Sequence, residues 1–147
     1  MQIRLFVKRK KKLGLSPPRK SMVYADANII IRYIINDDKQ MAEKAEAAID
    51  SGMMFVLSEV FAEVVYVLTK VYGIDRIDVA NSMLELLPYV STTVPSVMEA
   101  SFLYYRESKL DFVDCILAAY CITGGKQILS FDKKLNNFIA RKASENS

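Results

Sequence analysis

A chain of 147 residues is long enough for one domain with a real core and short for two. Its 52% apolar and 25% charged shares are those of a soluble globular protein, and no run approaches the roughly 18 apolar residues that span a bilayer. Histidine is absent, which excludes imidazole acid–base chemistry, His-ligated zinc and a Ser-His-Asp triad, so any catalysis falls to carboxylates, lysines or hydroxyls.

The net charge of +3 hides an asymmetry. Residues 1–21 hold eight Lys or Arg and no acid, while the rest carries 12 bases against 17 acids, a balance of −5. The first segment reads as a flexible basic arm, either a nonspecific nucleic-acid contact or a solvated tail ahead of a natural start at Met22. Its charges and prolines stand where a secretory signal needs an apolar stretch, so export is not expected.

From Met22 onward short apolar runs alternate with longer helical stretches. A strand is predicted at 23–26, followed by helical residues to about 36 and an Ala- and Glu-rich amphipathic helix over 37–50. "MMFVLS" predicts a second strand, and "SEVFAEVVYVLTKVYG" a helix closed by Gly73. A helix over 74–87 ends near Pro88, "YVSTTV" predicts a third strand, and Pro95 suits the first turn of the next helix. "DFVDCILAAYCIT" is a helix stopped by Gly124 and Gly125, "QILSF" predicts a fourth strand, and a final helix covers 132–140 before a polar tail at 143–147. Strands separated by helices imply a parallel sheet covered on both faces. Cys115 and Cys121, six apart in one apolar segment, fit neither a CxxC site nor an obvious disulfide and are expected as buried thiols in a reducing compartment.

Ligand sites in such sheets open beyond the carboxyl ends of the strands. Asp26 ends the first strand and Asp132 follows the fourth; Asp114 starts the helix leading back to the fourth, and Glu63 lies one turn into the helix after the second. Four distant segments thus direct acids toward one edge. Each has a plainer reading: Asp26, Asp132 and Asp111 as helix caps, Glu63 as part of a solvated face with Glu59 and Lys70. Asp114 is harder to explain that way, because residues 115–123 contain no other charge. Carboxylates clustered without cations repel one another, and a divalent cation removes the conflict. Oxygen-only ligation favours Mg²⁺ or Mn²⁺, whose natural chemistry here is phosphodiester hydrolysis. Arg106, Lys109, Lys126, Lys133 and Lys134 lie near this edge in sequence, as phosphate contacts or as solubility charges.

"VYADANIII", "SEVFAEVVYVL", "DFVDCILAAYC" and "ILSFDKKL", in this order, resemble a PIN domain, and most of all a stand-alone VapC-type toxin ribonuclease, over residues 22–142. The resemblance implies a three-layer α/β/α fold around a parallel sheet of four to five strands. It also implies an acidic Mg²⁺ or Mn²⁺ pocket, endoribonuclease activity on RNA, a small antitoxin partner, a homodimer and a cytoplasmic setting. By position it assigns the metal and catalytic acids to Asp26, Glu63, Asp114 and Asp132, with Ser130, Asn28 and Asp111 in support. Alternatives within the fold are an RNA- or protein-binding module without catalysis and a housekeeping RNA-processing nuclease. A phosphoacceptor receiver domain fits poorly, since the third strand ends "STTVP" without an acid.

Overall fold

The computed structural model describes residues 22–146. The basic arm expected over 1–21 and the last residue of the expected tail lie outside them. Three short strands, β1 (Val23–Tyr24), β2 (Met54–Val56) and β3 (Ser91–Thr92), form a parallel sheet in the order β1-β2-β3. Tyr24 pairs with Phe55, and Phe55 in turn with Ser91. The buried Thr92 hydroxyl donates to the Val56 carbonyl at 2.7 Å, satisfying a polar group that would otherwise weaken the sheet.

Parallel neighbours need crossover connections, and helices supply them. Helices α1 (Ala27–Ile35) and α2 (Lys39–Asp50) link β1 to β2. Helix α3 (Ser58–Tyr66), continued by a π-helical turn at Val67–Val71, and α4 (Arg76–Leu86), ending in a 3₁₀ turn at Leu87–Tyr89, link β2 to β3. Then come α5 (Pro95–Glu107), α6 (Phe112–Ile122) and α7 (Lys133–Glu145). Pro95 opens α5 as its fixed φ favours. At the end of α6, a Cβ on Gly124 would stand 2.7 Å from the Tyr120 carbonyl oxygen, and Gly125 has φ +66°, so both positions need glycine.

The core joins α3, α5 and α6 through an aromatic cluster. Phe102 stacks on Phe112 with ring centroids 4.7 Å apart and meets Phe61 edge-on at 5.4 Å, and Tyr105 meets Phe112 at 5.7 Å. Phe61 and Phe102 are wholly buried, and burial of each such side chain contributes roughly 1.5–3 kcal/mol. Because Phe112 is the first residue of α6, this cluster fixes the point where Asp111 and Asp114 enter the fold.

Three features differ from the sequence reading. Residues 127–131 form no strand ladder among the described residues, and their apolar side chains find no core, with Leu129 93% and Phe131 98% exposed. An apolar run reads as a strand, but a ladder also needs a paired partner, and the ladder of the described residues joins β1, β2 and β3. Cys115 is fully buried, and burial pushes its thiol up to about 12, whereas Cys121 is only half-buried; both are free thiols. Helix α7 also runs on to Glu145, past the expected end near 140. No helix among the described residues is long and apolar enough to cross a membrane.

Candidate active site

Asp26 and Asp132 play parallel roles. Asp26 is the N-cap of α1, its Oδ1 accepting the Ile29 N–H at 3.3 Å; Asp132 is the N-cap of α7, its Oδ1 accepting the Leu135 N–H at 3.1 Å. Each negative charge thus sits at the positive end of a helix. A carboxylate has room for about four acceptor contacts, so one cap bond leaves the second oxygen of each free for a ligand. The capping reading and the ligand reading are therefore compatible.

Asp111 occupies the N-cap position of α6 without a side-chain cap bond, and Asp114 follows in the first turn. Burial pushes the Asp114 carboxyl above its ordinary range, and the charges of Asp132 and then Asp111 push it further in the same direction. These three acids therefore share one electrostatic neighbourhood. The ion pairs among the described residues engage Asp37, Glu107 and Glu145, so no Lys or Arg there neutralises the three.

The supporting residues hold local geometry. The Asp132 N–H donates to Ser130 Oγ at 3.0 Å, and the Asn136 side-chain amide donates to the Ser130 carbonyl at 2.8 Å, which fixes the turn into α7. Asn28 Oδ1 accepts from Arg32 Nε at 3.3 Å, and Arg32 also pairs with Asp37 at 2.7 Å and donates to the Tyr72 hydroxyl at 3.1 Å. Glu63 is exposed, one turn into α3.

Among the described residues, no group of three or more acidic or cysteine side chains is close enough to hold a metal ion. The charges of Asp132 and Asp111 both act on Asp114. The donor chemistry nonetheless fits Mg²⁺ or Mn²⁺, which take one or two carboxylates and complete their shell with water. Asp114 and Asp132 are the pair suited to this, with Asp111 beside them. Such a cation, when bound, activates a water and neutralises charge developing on a phosphate.

Sequence reasoning missed two cations. Arg76 lies at the first position of α4, where the helix dipole disfavours a positive charge. It is held instead by the Tyr105 carbonyl at 3.0 Å and the Leu110 carbonyl, with its guanidinium 3.8 Å from the Tyr105 ring centroid. It thereby ties down the loop before Asp111. The second is Arg141, which lines a cavity of about 340 Å³ together with Lys109 and Lys134. A seven-residue spacing from Lys134, two turns along one helix face, was the available signal. Of the other nominated cations, Arg106 donates to Asn81 Oδ1 at 2.9 Å in a different hollow that contains Asp78 and Glu85. Lys126 and Lys133 are exposed.

A parallel sheet with helical crossovers, in which Asp26, Asp111 and Asp132 stand at helix starts without Lys or Arg ion-pair partners among the described residues, is an α/β domain with an acidic candidate site. The chain belongs to the PIN domain family, whose model matches residues 23–140. PIN domains are generally nucleases that use divalent metals. No curated protein and no solved structure gives a significant match to the chain.

Proposed function

We propose that this protein is a Mg²⁺- or Mn²⁺-dependent endoribonuclease that hydrolyses RNA phosphodiester bonds, and that it serves as the toxin of a VapBC-type toxin–antitoxin pair. One observation supports the catalytic part: the Asp114 carboxyl is raised first by burial and then by the charges of Asp132 and Asp111, and no ion pair among the described residues offsets these acids. Like charges held close together destabilise one another, and a divalent cation relieves that repulsion. In this reading Asp114 and Asp132 hold the cation. Asp26 and Glu63 join through water or position the attacking water, and Ser130 holds Asp132 in place. The toxin assignment rests on the order of the four sequence motifs and brings a small antitoxin, a homodimer and a cytoplasmic setting with it.

The test is RNA cleavage by purified protein with Mn²⁺, comparing wild type with Asp114→Asn, each checked for fold. Cleavage by wild type alone supports the proposal; equal cleavage by both rejects it. A neighbouring reading frame for a small DNA-binding protein, and its co-purification with this chain, separates a toxin from a housekeeping nuclease. A second reading, a PIN-fold binding module without catalysis, is favoured by the cap bonds of Asp26 and Asp132, which give both acids a structural role. It is distinguished by RNA binding without metal-dependent cleavage.

A further inference from the structure

The groove between the loop before α6 and the face of α7 has an unusual lining. Lys109, Lys134 and Arg141 surround a floor of Leu110 and Phe138, with Asn137 at the side and no acid. The protein body is otherwise acidic. Lys142, one residue beyond Arg141, is already neutralised by Glu107 at 2.6 Å and Glu145 at 3.3 Å. Arg141 has only a marginal contact with Glu145 at 4.0 Å, and Lys109 and Lys134 are in none of the ion pairs of the described residues. Three cations therefore face a hollow of about 340 Å³ with little internal charge to balance them.

We propose that this groove is the track for single-stranded RNA leading to the acid cluster. Two relationships favour RNA over an acidic peptide. First, the groove adjoins the acids along the chain at both rims: Lys109 stands two residues before Asp111, and Lys134 two residues after Asp132. A chain held there as a polyanion brings its own next phosphodiester toward Asp114 and Asp132, whereas a peptide carboxylate has no scissile bond to present. Second, Lys134 and Arg141 are seven residues apart on α7, roughly 10 Å along the axis, so they meet different charges of one extended strand. Arginine adds a planar fork matched to phosphate, and lysine a point charge. The apolar floor gives a ribose or base a surface out of water. The proposal rests on the RNA reading of the site and adds where the substrate lies.

The test is equilibrium binding of the full chain to a labelled, unstructured RNA oligonucleotide in EDTA, over a series of salt concentrations. Each phosphate contact on a single strand contributes about 0.7 to the slope of log affinity against log salt. Lys134→Gln and Arg141→Gln should each lower the slope by about 0.7, and the double variant by about 1.4, while Lys44→Gln on the exposed face of α2 leaves it unchanged. Residues 1–21 are common to every variant, so their charges cancel in the comparison. An unchanged slope in the double variant overturns the proposal, as does a polyglutamate peptide that competes with the RNA and loses affinity in the same variants. Because no cleavage occurs in EDTA, these outcomes are independent of whether the acid cluster is catalytic. Metal-dependent cleavage with unchanged slopes would remove the groove alone.

Discussion

Asp132 caps α7, Asp114 lies in the first turn of α6, and the Asp114 carboxyl is pushed upward by its burial and then by the charge of Asp132. Two helices from opposite ends of the 123–132 connection are thus coupled through like charges. Neither acid has an ion-pair partner among the described residues.

The coupling has a signature in stability. The folded state holds the Asp114 proton more tightly than the unfolded chain does. The stability this group contributes is therefore full below the unfolded carboxylate pKa and is lost as pH rises through the raised folded value. Urea unfolding in EDTA across the acid range should show wild type losing stability with rising pH more steeply than Asp114→Asn. At neutral pH the Asn variant should be at least as stable as wild type.

Divalent cation should reverse the order. A ligand that binds only the folded state at a hundred times its Kd stabilises by about 2.7 kcal/mol. Mg²⁺ or Mn²⁺ should raise the melting temperature of wild type and leave that of an Asp114→Asn, Asp132→Asn double variant unmoved. Equal shifts in both would place the ion elsewhere.

The two caps can be separated from the chemistry by choice of substitution. Asn also caps helices, whereas Ala does not, so Asp26→Ala and Asp132→Ala should each cost about 1 kcal/mol and the Asn variants much less. Activity should fall in all four. Loss of activity confined to the Ala variants would make both residues structural only.

The aromatic cluster should govern the site through the fold. Phe102→Ala removes a buried ring packed on Phe61 and Phe112 and should cost about 3–5 kcal/mol, read by chemical denaturation. Arg76→Ala leaves the Tyr105 and Leu110 carbonyls without their donor and should cost about 1–3 kcal/mol.

Much of this was legible in the sequence because the signals were local. Helix starts at Asp26 and Asp132 are capped as residues of that type cap, and Pro95 and the Gly124–Gly125 pair mark helix boundaries. The reading weakened where partners decide the outcome. Residues 127–131 carry a strand's composition yet have no ladder, since pairing depends on the neighbouring edge. The π-helical turn at Val67–Val71 interrupts an apolar period that looked continuous. Likewise, sequence order put Asp114 and Asp132 at the starts of successive helices but could not show that their charges meet. Nor could it see Arg76 or Arg141, whose roles depend on the loop and helix packed against them.

The central claim is that Asp114 and its acidic neighbours form a cation site. It is tested most directly by following the Asp114 side-chain carboxyl through a pH titration by carbon NMR, with and without Mg²⁺. A midpoint above the usual carboxylate range in EDTA that drops on adding Mg²⁺ is the expected result. A midpoint indifferent to Mg²⁺ at concentrations that saturate nuclease sites would contradict it.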